Sequence, residues 1–309
     1  MYWPGRVIAV KKFQFQSAVD DQMIQGYAWQ NTGKSKAVVA IAHGMAEHAQ
    51  RYARFAGALN DAGLEAWAID HRGHGQSTGP GGLGDFGEGG WAGLVSDLGQ
   101  FIDLVRAERT DLPVVLFAHS MGSFAAQNYC IDSSDRIDAL ILSGSAARGA
   151  AVASADGGKR SDQQSPKGRV GSANSAFEPA RTPYDWLSRD EAEVDLYISD
   201  PLCGFQALSG TGSERRSSGS LESRPDMTDP LLLAGIRPDL PVLLVAGDKD
   251  PINRDLKGLD LLEKLWTQAG VRQIDKCYYP GGRHEMLNEI NRDEVTRDTI
   301  DWLYKVLSL

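Results

Sequence analysis

The stretch PVVLFAHSMGSFAA, residues 113–126, decides the fold of this chain. An apolar run ends at a histidine and a serine, and a second apolar stretch follows at helical spacing. This order predicts a strand that enters a sharp turn at Ser120 and leaves it as a helix. The turn is close to the G-x-S-x-G pattern of a nucleophile elbow, with Ala118 at the first small position and Gly122 at the second. The alternative is an ordinary helix start that carries a serine.

Apolar runs of the same kind recur along the chain and alternate with helix-like stretches. The predicted strands are 38–44, 65–71, 113–120, 138–144, 241–248 and 274–280, and the predicted helices are 49–62, 91–109, 121–131, 255–269 and 293–308. Near-continuous apolar strands separated by helices indicate a parallel sheet covered on both faces. The opening segments KKFQFQSA and MIQGYAWQ predict an antiparallel hairpin at its edge, which gives an α/β fold with a mostly parallel eight-stranded sheet.

An insertion interrupts this alternation between the two halves of the predicted sheet. Residues 146–176 are rich in Ala, Gly and Ser and contain no Leu, Ile or Phe, and residues 209–220 have the same character. Such stretches bury too little apolar area to offset the entropy of ordering, so we expect flexible arms there. The aromatic island between them should be folded. The prediction is an α/β core at 1–144 and 230–309 with a lid (cap) at 145–229.

Composition narrows the classes of function and the cellular location. The 309 residues carry a formal net charge of −9, which argues against a nucleic-acid partner. No apolar run is long enough to cross a bilayer, and the N-terminus lacks the pattern of a secretory signal. The three cysteines are widely spaced and suggest neither a disulfide framework nor a zinc site. We therefore expect free thiols in a reducing cytoplasm.

A base and an acid for Ser120 can be sought downstream of the elbow. His284 is the single histidine after residue 145, in a loop between a strand and a helix. Asp248 and Asp250 follow the preceding strand, and we prefer Asp250 because it stands further beyond the strand end, before Pro251. Upstream, the loop that begins at His43-Gly44 leaves backbone N–H groups near a strand end, as an oxyanion requires. We expect His43 itself to support that loop.

Several motifs for cofactors and metals are present only in part. The glycine-rich 79–87 region does not join a strand to a helix, as a dinucleotide site requires. HEMLN lacks the second histidine of a zinc protease, DKDPIN lacks calcium-loop ligands, and no Cys or carboxylate cluster joins His71 and His74. We therefore predict no metal and no organic cofactor.

The ordered motifs HGMAEHAQRY, DHRGHGQS, FAHSMG, DPLCGF, GDKDP and GGRHEMLNE resemble those of the monoacylglycerol lipase-like α/β-hydrolases. Bacterial members are described as lysophospholipases or grouped with serine aminopeptidases. The resemblance implies Ser120 as nucleophile, His284 as general base and Asp250 as its partner. It also implies oxyanion-hole N–H groups at Met45 and Met121, and a lid between the sixth and seventh strands. Ala118 departs from the usual elbow glycine.

The expected function is hydrolysis of carboxylic esters through an acyl-enzyme, with monoacylglycerol, lysophospholipid or small soluble esters as substrates. The predicted lid arms lack apolar helices, which favours at most weak membrane contact and smaller esters. One alternative is a short-peptide hydrolase whose lid anchors the peptide through Asp185, Asp190, Glu191 and Glu193, although we interpret these as a solvated helix face. Another is a catalytically silent binding protein. A dehalogenase or epoxide hydrolase is disfavoured, since each needs a carboxylate at the position of Ser120.

Overall fold

The structure is a computed structural model that describes residues 9–31, 33–149, 173–205 and 225–309. The flexible arms predicted at 146–176 and 209–220 lie outside these residues, apart from 146–149 and 173–176. The described part of the chain contains no helix long and apolar enough to span a membrane.

Eight strands and seven α-helices account for the regular structure of the described residues. The strands are β1 (Val10–Gln16), β2 (Met23–Trp29), β3 (Val38–Ala42), β4 (Glu65–Ile69), β5 (Val114–His119), β6 (Ala139–Ser143), β7 (Pro241–Gly247) and β8 (Gln273–Tyr279). The helices are α1 (Ala53–Asp61), α2 (Gly90–Glu108), α3 (Met121–Ser133), α4 (Glu191–Ser199), α5 (Pro230–Leu233), α6 (Lys257–Gln268) and α7 (Arg292–Leu307). Short 3₁₀ turns occupy Ala49–Tyr52, Ser134–Arg136, Ser175–Phe177 and Met286–Asn288.

The strands form one sheet in the order β1-β2-β4-β3-β5-β6-β7-β8. β1 and β2 pair antiparallel, and β2 pairs antiparallel with β4, whereas every pair from β4 to β8 is parallel. The predicted edge hairpin and the predicted parallel sheet are therefore both confirmed. The carboxyl ends of β3, β5, β6, β7 and β8 meet at one edge of the sheet, which is where ligands bind on such sheets.

Two apolar cores cover the two faces of the sheet. Within β3, Val38, Ala40 and Ala42 point into one core, while Val39 and Ile41 point into the other. The first core receives the apolar stripes of α2, α3 and α6, and the second receives those of α1 and α7. Burial on both faces explains why these strands are continuously apolar in sequence.

Two helices begin later than the sequence predicts. The predicted helix 49–62 begins as the 3₁₀ turn Ala49–Tyr52, and only 53–61 is α-helical. The predicted helix 255–269 begins at Lys257, because Arg254, Asp255 and Leu256 all have positive φ. Left-handed residues cannot continue a right-handed helix, and periodicity does not reveal them.

The insertion between β6 and β7 is described at 173–205 and from 225 onward. Its main regular element is α4, whose N-cap Asp190 accepts a hydrogen bond from the Ala192 N–H. We call the described residues 173–205 the cap segment. The division into a core at 1–144 and 230–309 and a lid at 145–229 stays a prediction.

Candidate active site

Ser120 occupies a strained corner between β5 and α3. Its φ is 49° and its ψ is −114°, a backbone conformation that residues with a Cβ rarely adopt. The corner is held because the Ser120 N–H donates to the Ser143 carbonyl at 2.9 Å and the Gly122 N–H donates to the His43 carbonyl at 3.1 Å. Such strain costs about 1–3 kcal/mol and persists only where the surroundings enforce it. The corner places Ser120 beyond the strand end, where it is partly exposed.

Gly122 and Ala118, the small residues two positions after and before Ser120, differ in the space available for a side chain. A Cβ at Gly122 would lie 2.4 Å from the Ala42 carbonyl oxygen, so α3 can approach β3 this closely only with glycine there. Ala118 is fully buried in the core, paired with Ala42 across the β3–β5 ladder. Its additional methyl group therefore fits within the packed interior.

His284 and Asp250 form a buried pair at the same edge of the sheet. The His284 Nδ1 lies 2.9 Å from the Asp250 Oδ2, and both side chains are almost completely buried. Burial lowers the pKa of His284, but the charge and hydrogen bond of Asp250 outweigh burial and raise it above its usual value. With Nδ1–H donated to Asp250, the Nε2 of the imidazole is left as a proton acceptor.

His284 is brought to the corner of Ser120 by the neighbouring strand ends. The rings of His284 and His119 lie 4.8 Å apart between centroids, and His119 directly precedes Ser120. Burial, followed by the proximity of His284, lowers the pKa of His119 to about 4, so His119 is neutral beside the pair. A Cβ added at Gly144 would contact both imidazoles.

Asp248 has a different partner. Its Oδ1 accepts a hydrogen bond from the Gly281 N–H at 2.7 Å, which ties the loop after β7 to the loop after β8. The structure therefore brings Asp250, and not Asp248, to His284. The Oδ1 of Asp250 also accepts from the Ile252 N–H at 2.9 Å, which fixes the orientation of the carboxylate.

The loop after β3 approaches Ser120 closely. A Cβ built on Gly44 would lie 3.2 Å from the Cβ of Ser120 and 2.8 Å from the Oε1 of Glu47. That Glu47 oxygen accepts the Gly44 N–H at 2.6 Å, which holds the loop in place. Met45 follows Gly44, and Met121 is the first residue of α3, whose N–H has no acceptor within the helix. Both predicted oxyanion-hole residues thus lie beside the Ser120 corner.

The cap segment binds the loop after β3 through two hydrogen bonds. The Ala46 carbonyl accepts hydrogen bonds from the Tyr197 hydroxyl at 3.0 Å and from the Gly204 N–H at 2.9 Å. Ala46 has a φ of 58°, so these two donors hold a strained residue directly after Met45. The position of the predicted oxyanion loop therefore depends on contacts from the insertion.

A buried charge cluster next to His284 was not identified from the sequence. Arg51 binds Glu285 through two hydrogen bonds of 2.8 Å and Glu47 through a third of 2.8 Å. Burial raises the pKa of both carboxyl groups, but the Arg51 charge outweighs it and both pKa values are lowered. The cluster lines a small pocket, of about 20 Å³, beside Ser143 and His119. Its signal was the placement of charged residues inside the motifs HGMAEHAQRY and RHE.

Trp186 of the cap segment packs on the His284 imidazole. Their ring centroids are 4.8 Å apart with an interplanar angle of 33°. The indole Nε1 is buried and has no hydrogen-bond partner among the described residues. An aromatic face at this distance stabilises a protonated imidazole. No sequence pattern pointed to this residue, because the contact joins the cap segment to the β8 loop.

The remaining candidate residues serve the scaffold. The Nε2 of fully buried His43 accepts the His71 N–H at 2.9 Å, which agrees with its expected role in supporting the loop. Of the four cap carboxylates considered for a peptide pocket, Asp190 binds Arg292 and Glu193 binds Arg54, both at 2.6 Å. Asp185 accepts from Thr182, and exposed Glu191 lies beside Arg181.

Comparison with known proteins identifies the family. A family model described as serine aminopeptidase, S33, matches residues 33–291. The chain belongs to this serine hydrolase family. It is 28% identical to a monoacylglycerol lipase of Mycolicibacterium smegmatis over 89% of the chain and 90% of that protein. It is 29% identical to human monoglyceride lipase over 88% of the chain and 82% of that protein.

Solved structures show the same fold. A thermostable carboxyl esterase from Bacillus coagulans, solved in complex with glycerol, superposes with a TM-score of 0.83 at 26% identity, covering 97% of this chain and all of that one. The fold of this S33 chain is thus the α/β-hydrolase fold, as the sequence motifs predicted.

Proposed function

We propose that the chain hydrolyses carboxylic esters through Ser120, His284 and Asp250. The observation that carries this proposal is the buried 2.9 Å contact between His284 and Asp250 at the sheet edge where Ser120 is held in a strained turn. Membership of the S33 family and the similarity to monoacylglycerol lipases and a carboxyl esterase support it.

The proposed reaction has two halves. The Ser120 Oγ attacks the ester carbonyl while His284 Nε2 takes its proton, and Asp250 stabilises the imidazolium. The Met45 and Met121 N–H groups bind the oxyanion, each contributing roughly 3 kcal/mol. His284 then protonates the leaving alcohol, and water releases the acid from Ser120 by the same steps in reverse. No metal or organic cofactor takes part in this scheme.

The proposed substrate class rests on the similar proteins. The pocket lined by Arg51, Glu47 and Glu285 has a volume of only about 20 Å³, and these side chains bind one another, so it does not accommodate an alcohol. The similarity to monoacylglycerol lipases supports monoacylglycerols, lysophospholipids or comparable small esters as the substrates that we propose. A cytoplasmic location, weak membrane contact at most and no nucleic-acid partner complete the proposal.

The test combines hydrolysis with active-site labelling. Ser120→Ala should lower kcat on a p-nitrophenyl ester by a factor on the order of 10⁶, as in another serine triad enzyme, and abolish labelling by a fluorophosphonate. Ser133→Ala, at the other end of α3, is the matched control and should retain both. Retained hydrolysis in the Ser120 variant would refute the mechanism, and an unreactive wild-type serine would favour a silent binding protein.

Peptide hydrolysis is the second candidate, because the family model is named for an aminopeptidase. The ion pairs of Asp190 and Glu193 weaken it, since these carboxylates are already engaged by arginines. Parallel assays on monoacylglycerol, lysophospholipid and aminoacyl substrates separate the two candidates. A higher kcat/KM for the aminoacyl substrates would favour the peptidase.

A further inference from the structure

Three side chains with metal-binding atoms converge where the cap segment meets the loop after β3. His48 comes from the loop, and Asp200 and Cys203 come from the turn that follows α4. One ligand atom from each residue lies within 4.8 Å of the other two. The His48 Nε2 is already 2.9 Å from the Asp200 Oδ2. None of the residues proposed for catalysis belongs to this set.

The donor set has the chemistry that zinc prefers. Imidazole nitrogen, carboxylate oxygen and thiolate sulfur bind Zn²⁺ at about 2.0–2.3 Å, so ligand atoms of a tetrahedral site are about 3.3–3.8 Å apart. The three side chains can reach that spacing by small adjustments of their outer atoms. Three protein ligands leave one position for water, and Asp200 is 31% exposed, so solvent reaches the site.

The surroundings of the set carry excess negative charge. Arg51 is the cation that interacts with Cys203, and its guanidinium is bound by Glu47 and Glu285. Together with Asp200, these two glutamates place three carboxylates near one guanidinium. The local charge is therefore negative even while the thiol keeps its proton. The Cys203 thiol must lose its proton before its sulfur can bind an ion. A divalent cation replaces that proton directly.

We propose that His48, Asp200 and Cys203 form a binding site for zinc or a chemically similar divalent cation. Binding forms one bond each to nitrogen, oxygen and sulfur. The proton that His48 Nε2 donates to Asp200 moves to Nδ1, the thiol proton is released to solvent, and no oxidation state changes. The bound ion joins the cap segment to the loop that also carries Met45. The proposed site differs from our expectation that the cysteines indicate neither a disulfide framework nor a zinc site, and it does not depend on the proposed ester hydrolysis.

Cobalt provides a direct test, because a cobalt–thiolate bond gives a charge-transfer absorption in the near ultraviolet. The untagged full chain is titrated with Co²⁺ and then with Zn²⁺ as a competitor. The wild type should bind one ion with this absorption, and Zn²⁺ should displace it. Cys203→Ser should lose the absorption, and Asp200→Asn should bind at least about tenfold more weakly. Cys277→Ser, which removes a partly buried thiol on β8, is the matched control and should behave as the wild type.

Two further measurements distinguish loss of ion binding from loss of folding. Zn²⁺ should raise the Tm of the wild type and of Cys277→Ser, but not that of Cys203→Ser, each compared with the same protein in chelator. Calorimetry in two buffers should show release of about one proton near pH 7 from the wild type and none from the Cys203 variant. The site is refuted if the wild type gives no thiolate absorption at saturating Co²⁺, or if Cys203→Ser or Asp200→Asn, shown folded by circular dichroism, binds as the wild type does.

Discussion

The choice between Asp250 and Asp248 as the partner of His284 leads to a sharp prediction. In Asp250→Asn, the new side-chain oxygen can still accept the Ile252 N–H, which turns the amide NH₂ towards His284 Nδ1. Nδ1 must then accept a hydrogen bond, so the proton moves to Nε2 and the imidazole cannot act as a base. The same change in another triad lowers kcat about 10⁴-fold, which corresponds to about 5 kcal/mol. We expect a loss of this size.

The pH profile provides a second signature of the same change. Asp250 raises the pKa of His284, whereas burial lowers it, so removing the carboxylate leaves burial dominant and the pKa falls. The acid limb of kcat/KM for the residual activity should therefore move to lower pH. In the wild type, the stability contributed by protonated His284 is fully present below its unfolded pKa of about 6.5 and is lost as the pH rises through the higher folded value.

Asp248→Asn is the matched control, because its new side-chain oxygen can still accept the Gly281 N–H. We expect kcat within about threefold of the wild type and an unchanged acid limb. Both variants are assayed on a p-nitrophenyl ester from pH 5 to 9, after urea unfolding has shown that they are folded. A larger loss of kcat in Asp248→Asn than in Asp250→Asn would refute the reasoning.

Three further predictions concern residues that support the site. Trp186→Leu should move the acid limb of kcat/KM to lower pH by about half a pH unit, since the indole stabilises protonated His284. Trp186→Phe should keep most of this stabilisation. Identical acid limbs in the wild type and the Leu variant would contradict the prediction. Gly122→Ala should lower the free energy of unfolding by about 1–3 kcal/mol in urea, because its Cβ meets the Ala42 carbonyl, whereas Gly33→Ala, with open space around it, should not. Tyr197→Phe removes one of the two donors to Ala46 and should lower kcat about fivefold with KM little changed; a change confined to KM would argue against a role in positioning the oxyanion loop.

Much of the fold could be predicted because its signals are local. The β5 strand, the Ser120 corner and α3 follow one another within 20 residues, and strands buried on both faces are continuously apolar in sequence. The antiparallel hairpin at the edge of the sheet could also be predicted, because polar Gln14 and Gln16 alternate with apolar Phe15 along β1. Helix starts were less predictable where left-handed residues such as Leu256 delay them, since backbone strain has no periodicity.

The sequence by itself determined the order of the strands along the chain and the candidate residues at their carboxyl ends. Ser120 could be named because it lies at the turn between a predicted strand and a predicted helix. His284 could be named because it is the single histidine after residue 145. The sequence favoured Asp250 over Asp248, but only the tertiary structure shows which distant group each of them meets, since the two lie in one loop. The contact of Trp186 with His284 and the convergence of His48 with Asp200 and Cys203 also depend on the folded chain. These contacts join residues about 100 or more positions apart, and packing of the cap segment against the core sets their distances.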